Sequence, residues 1–152
     1  MIKIKDLIKE VIDIYSPEEL NSKGIDYEIE TESAKRFRVN LKYKDKYYRL
    51  AVLPIFDPNN PVVNFGNTDE NYDNINLGEL LNSPYSTRIL AAIFGLLRYW
   101  VDKYQVQQFE YGVEGNVRTT LYNYYLNKHF PDFENTQELD GDLMIQTWKR
   151  TS

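Results

Sequence analysis

A chain of 152 residues with 42% hydrophobic and 27% charged residues suits one domain with its own core and excludes a disordered composition. The lack of cysteine removes disulfides, thiolate nucleophiles and cysteine-based zinc sites, and fits a reducing compartment or an assembled particle. A net charge of −5 argues against wholesale phosphate-backbone binding, so nucleic acid is not the expected partner.

Ile4, Leu7, Ile8, Val11 and Ile12 recur at helical spacing and predict an amphipathic helix over residues 3–15. The charges threaded through Met1-Ile2-Lys3-Ile4-Lys5-Asp6 are not those of a signal peptide, and no apolar run approaches the roughly 20 residues that cross a bilayer, so no membrane partner is expected. Ser16-Pro17 closes that helix, and Asn21 to Gly24 is a loop. Tyr27 to Thr31 alternates as a strand. Phe37, Val39, Leu41 and Tyr43 alternate with Arg36, Arg38, Asn40 and Lys42, a second strand with one apolar and one basic face. Lys44-Asp45 turns the chain, and Tyr48, Leu50 and Val52 carry the apolar face back to about Ile55.

Pro54 and the run Asp57-Pro58-Asn59-Asn60-Pro61 then break the chain. Val62 to Phe65 is a short strand, and Gly66 to Tyr85 reads as irregular, with a short helical turn at Leu77–Leu81. Ser86 or Thr87 caps a long helix, one side of which carries Ile89, Ile93, Leu96, Leu97, Trp100, Val101 and Tyr104. Val106 to Glu114 is a strand with Phe109, Tyr111 and Val113 on one face. Asn116 caps a helix from Val117 to about His129, which Pro131-Asp132 ends. Asn135 to Gly141 reads as a polar loop and Leu143 to Trp148 as the last strand.

This order, α-β-β-β-β-α-β-α-β in a single domain over residues 1–152, predicts an α/β (α+β) fold. Its centre is a mixed, mostly antiparallel sheet with helices packed on it. The helix between the strands at 62–65 and 106–114 is then a parallel crossover.

Asn116, opening a helix directly after a strand, with Leu121-Tyr122 nearly two turns on, resembles the last helix of GNAT-type N-acetyltransferases. Phe109-Glu110-Tyr111 followed by Arg118-Thr119-Thr120-Leu121-Tyr122 is also similar to the degenerate GNAT-like proteins of tailed bacteriophages. The resemblance implies a GNAT-like sheet. In an active member it implies Tyr122 as the general acid that protonates the leaving thiolate. A carboxylate on the strand edge, Glu110 or Glu114, would be the base. The family holds its acyl-CoA pyrophosphate on a glycine-containing loop before the crossover helix. Here that stretch is Asn82-Ser83-Pro84-Tyr85-Ser86-Thr87-Arg88, without glycine and with a proline that removes one donor. No cofactor is therefore expected, and acetyl-CoA enters only if the enzyme survives.

Residues Lys35 to Arg49 hold seven basic side chains against Asp45, a local charge of +6 that leaves −11 on the remainder. The basic hairpin face (Arg36, Arg38, Lys42 and Arg49, with Tyr47 among them) is a candidate docking surface for an acidic partner, another copy included. The 13 tyrosines include the adjacent pairs Tyr47-Tyr48 and Tyr124-Tyr125, which send rings both ways and suggest tyrosines at an interface. Asp69, Asn71 and Asp73 alternate like the start of a calcium loop, but Asn74 and Leu80 stand where glycine and glutamate are needed, so no metal is expected. His129, the only histidine, lacks helix-spaced partners for a metal.

The residues thus suggest a non-catalytic GNAT-like phage protein acting through protein contacts, as a virion component or an accessory factor in the host cytoplasm. The alternatives are an acyl-CoA-dependent N-acetyltransferase with a divergent pyrophosphate loop and, more weakly, an inhibitor of a host nucleic-acid enzyme.

Overall fold

The computed structural model describes residues 13–114, 116–141 and 143–151. Seven strands form one mixed sheet: β1 (Asp26–Glu32), β2 (Phe37–Tyr43), β3 (Lys46–Asp57), β4 (Asn60–Thr68), β5 (Gln108–Glu114), β6 (Phe133–Asp140) and β7 (Leu143–Arg150). Three helices accompany them: α1 (Leu77–Leu81), α2 (Ser86–Tyr104) and α3 (Asn116–His129). The spatial order is β1-β2-β3-β4-β5-β7-β6, with β1 and β6 at the edges. Every neighbouring pair is antiparallel except β4 and β5, which run parallel with Val62 opposite Glu110. The α+β class and the parallel crossover through α2 follow the sequence expectation.

Alternation decides which face is covered. Phe37, Val39 and Leu41 of β2, Tyr48, Leu50 and Val52 of β3, Val63 and Phe65 of β4, Phe109 and Tyr111 of β5 and Trp148 of β7 are all buried. Ring contacts show that α2 and α3 both pack on this face. Phe37 stacks on Trp100, Phe65 meets Phe94 and Tyr122, and Phe109 meets Phe130. The helices join each other where Phe94 and Tyr125 stack, centroids 4.7 Å apart. The opposite face carries Arg38, Asn40, Lys42, Tyr47, Arg49, Asn64 and Glu110.

Several expectations need correction. The helix over residues 3–15 lies outside the described residues as far as residue 12, and Asp13 to Ser16 are not helical. Ser16 precedes a proline and takes an extended conformation (φ −70°, ψ 155°), and the Tyr15 N–H bonds across to the Ala91 carbonyl at 3.1 Å. The break at Asp57–Pro61 is the turn of a β3–β4 hairpin. Pro54 is tolerated because the register shifts between Leu53 and Asp57, a bulge that needs no N–H there. The short strand at 62–65 is nine residues long, and the turn expected at Leu77–Leu81 is α1. Residues 135–141 are not a loop: 135–140 belong to the edge strand β6, paired along β7 from Phe133↔Arg150 to Asp140↔Leu143. Its polarity suits a strand with only one neighbour. Phe109 and Tyr111 are buried as expected, whereas the Val113 side chain lies outside the described residues.

One ionic cluster ties the helical layer to the sheet end. Asp132 accepts from Arg98 of α2 at 2.6 Å and from Arg150 of β7 at 2.9 Å, and Arg98 also pairs with Asp102 one turn on. The two guanidinium groups lie over the rings of Phe130 and Phe133, so the aromatic floor and the ion pairs fix the same three segments.

Candidate functional site

Tyr122 sits on the inner face, 4% exposed, among Phe65, Phe94 and Tyr111, whose centroids are 5.2, 6.3 and 4.9 Å from its own. Glu110 precedes Tyr111 on β5 and therefore points to the opposite face. Tyr122 and Glu110, one of the two carboxylates expected as base, thus lie on opposite sides of one sheet. The Glu114 side chain is outside the described residues, as is that of Arg118. Tyr111 donates its hydroxyl to Asn123 Oδ1 at 2.9 Å, and burial pushes the Tyr111 phenol far above its ordinary range. A buried aromatic cluster of this kind fixes α3 to the sheet.

The segment where a pyrophosphate would sit is folded on itself. Ser83 Oγ accepts the Tyr85 N–H at 3.1 Å, the Ser83 carbonyl accepts the Ser86 N–H at 3.2 Å, and the Tyr85 carbonyl accepts the Ile89 N–H at 3.0 Å. Ser86 is buried, and the Tyr85 ring meets Tyr43 edge-on. Arg88 reaches away to the Lys23 carbonyl at 3.0 Å while crossing the Tyr43 ring.

Two arginines of the basic hairpin face are paired to β1. Glu30 accepts from Arg38 at 3.4 Å, from Asn40 at 3.1 Å and from Arg49 in a short ion pair. These donors hold the Glu30 carboxyl below the ordinary carboxylate range, the Asn40 bond contributing most. Arg49 also donates to the Tyr72 carbonyl at 3.2 Å, and its side chain is only 16% exposed. Register sets Asp26 opposite Lys42 and Glu28 opposite Asn40. Lys42 lies over the Tyr47 ring, which meets Tyr72 edge-on. Arg36 alone of the candidate set is exposed. Glu30 is the residue that sequence reasoning missed; the one signal for it was its place on the polar side of β1.

None of the 13 tyrosines is exposed. Tyr47 and Tyr48 do send rings to opposite faces, but Tyr47 is half-covered by Tyr72. The exposed tyrosine surface expected from composition is therefore absent. Among the described residues the exposed large hydrophobics are instead Ile55, Phe56 and Leu139.

Asp69 Oδ1 accepts the N–H groups of Asn71 and Asp73 at 2.9 and 3.0 Å, and Oδ2 accepts from Asn74 at 3.1 Å. That carboxylate shapes its own loop. His129 is half-buried beside Tyr125, and burial pushes its pKa down. Among the described residues no three histidines or carboxylates converge to hold a metal, and no helix is long and apolar enough to cross a membrane.

On the open face, the β3–β4 hairpin, β5 and β7 enclose a cleft of about 320 Å³ walled by Ile55, Phe56, Val62 and Ile145, with Glu110 on its lining. Glu110 accepts from Asn60 Nδ2 at 3.1 Å. Burial and the like charges of Asp57 and Glu138 push its carboxyl above the ordinary range, against the smaller effect of the Asn60 bond.

Comparisons with protein families, with curated proteins and with solved structures found no match for this chain.

Proposed function

We propose that the chain is a GNAT-like domain, similar to the degenerate phage-encoded kind, that works through protein contacts and performs no acyl transfer. The observation that carries this reading is the separation of Tyr122 and Glu110 onto opposite faces of β5. General acid–base catalysis needs both groups within hydrogen-bond reach of one reacting centre. Two further observations support it. The β4–β5 step is parallel and bridged by α2, which suits the expected crossover. The amides of Tyr85, Ser86 and Ile89 are bonded within the chain, so they are not offered to a pyrophosphate. A virion component or an accessory factor in the host cytoplasm are the settings this reading suits.

The test is calorimetric titration of the full chain with acetyl-CoA. No saturable heat is expected. A micromolar dissociation constant would overturn the reading and restore the N-acetyltransferase.

A further inference from the structure

We propose that the cleft between the β3–β4 hairpin and β5–β7 docks an apolar segment of a partner protein that carries a lysine or arginine side chain. This inference rests on the protein-contact reading and names the surface and chemistry through which it would act.

The first argument is exposure. Ile55 is 59% and Phe56 84% exposed, and they are adjacent. The bulge between Leu53 and Asp57 presents them at the rim of the cleft. A lone exposed hydrophobic residue is ordinary, but an aromatic beside an apolar cleft has the form of an interface anchor.

The second argument is unmatched charge. Glu30 pairs with Arg38 and Arg49, Glu32 with Lys103, and Asp132 with Arg98 and Arg150. Among the described residues no cation contacts Glu110, although it is half-buried and receives a single hydrogen bond, from Asn60. Glu110 therefore offers carboxylate oxygen to the cleft with no cation beside it. A guanidinium or ammonium group supplies several donors and a positive charge, and its aliphatic stem suits walls made of Ile55, Val62 and Ile145. Asp57 and Glu138 act on Glu110 with like charge. The same field repels nucleic-acid phosphates and anionic membranes, which leaves a basic protein segment as the occupant.

The experiment is a ¹⁵N-detected NMR titration of the full chain with a capped pentapeptide alternating leucine and arginine. Its twin, with citrulline for arginine, keeps the shape and loses the charge. Saturable shifts are expected at Ile55, Phe56, Val62 and Ile145, with the citrulline peptide about tenfold weaker or more. Glu110→Gln and Phe56→Ser should each weaken the arginine peptide by about tenfold. Phe56 is so exposed that its variant will fold, and Glu110→Gln keeps the side-chain shape. Equal binding of both peptides, unchanged affinity of Glu110→Gln, or no shifts at the cleft would overturn the proposal. Shifts confined to another face would do so while leaving the protein-contact reading intact. Saturation of the spectrum by acetyl-CoA would instead overturn that reading itself.

Discussion

The backbone of Tyr15 lies directly on Gly95. The Tyr15 N–H bonds to Ala91 at 3.1 Å, and its carbonyl oxygen comes within 1.8 Å of where a Cβ on Gly95 would stand. Glycine inside a 19-residue helix costs about 1 kcal/mol relative to alanine, so α2 gives up propensity to let the N-terminal segment approach. Gly95→Ala should destabilise the chain by about 2–3 kcal/mol despite its better propensity, because the Tyr15 backbone must move. Urea denaturation measures this, and a stabilised variant would contradict the contact.

The Asp132 cluster predicts a pH dependence. Hydrogen bonds from Arg98 hold the Asp132 carboxyl below its ordinary value, so folding favours the ionised form. The stabilisation is complete above the unfolded-state value of about 3.9 and is lost as pH falls through the lower folded value. Asp132→Asn should lose about 1–3 kcal/mol at pH 7. The gap between variant and wild type in urea melts should shrink below about pH 4; a gap that is constant with pH would remove the ionic explanation.

Phe109 is fully buried between Phe130 and Phe133, at 6.0 and 5.6 Å, with Trp148 opposite it across β5–β7. Phe109→Ala should cost about 3–5 kcal/mol, as transfer and cavity terms add. A loss under about 1 kcal/mol in equilibrium unfolding would mean that the strand packs differently.

Charge reversal should separate Arg36 from Arg49. Arg36→Glu, on an exposed residue, should change stability by less than about 0.5 kcal/mol. Arg49→Glu sets a carboxylate beside Glu30 and removes the donor to the Tyr72 carbonyl, so about 2–3 kcal/mol should be lost. Thermal melts of both variants at low salt are the measurement, and equal melting temperatures would refute the Glu30 network.

The pattern in the chain was informative where one face is apolar. The β2–β3 hairpin, α2 and the buried side of β5 all follow from alternation or helical spacing. β6 was not legible because Glu134 to Glu138 holds no apolar residue to mark a face, and only pairing with β7 makes it a strand. The partners of the basic window were hidden for a related reason. Its charges are contiguous in the chain, but the register that sets Asp26 opposite Lys42, and Glu30 within reach of Arg38 and Arg49, is a tertiary fact. Composition likewise suggested some tyrosines at an interface, and the fold covers each of the 13 at least in part. The Glu110 cleft was invisible because Ile55 read as the end of a buried strand, whereas the bulge leaves Ile55 and Phe56 facing outward.

The two outer strands share a sign. β1 carries Asp26, Glu28, Glu30 and Glu32, and β6 carries Glu134, Glu138 and Asp140. Joining any two copies rim to rim would set carboxylates against carboxylates, whichever rims met. At neutral pH this electrostatic barrier opposes fibrillation. Salt that shortens the Debye length well below about 10 Å weakens this barrier and leaves both rims as templates. Thioflavin fluorescence of the protein held at high salt should therefore rise with time, and dilution to low salt before seeding should keep it flat.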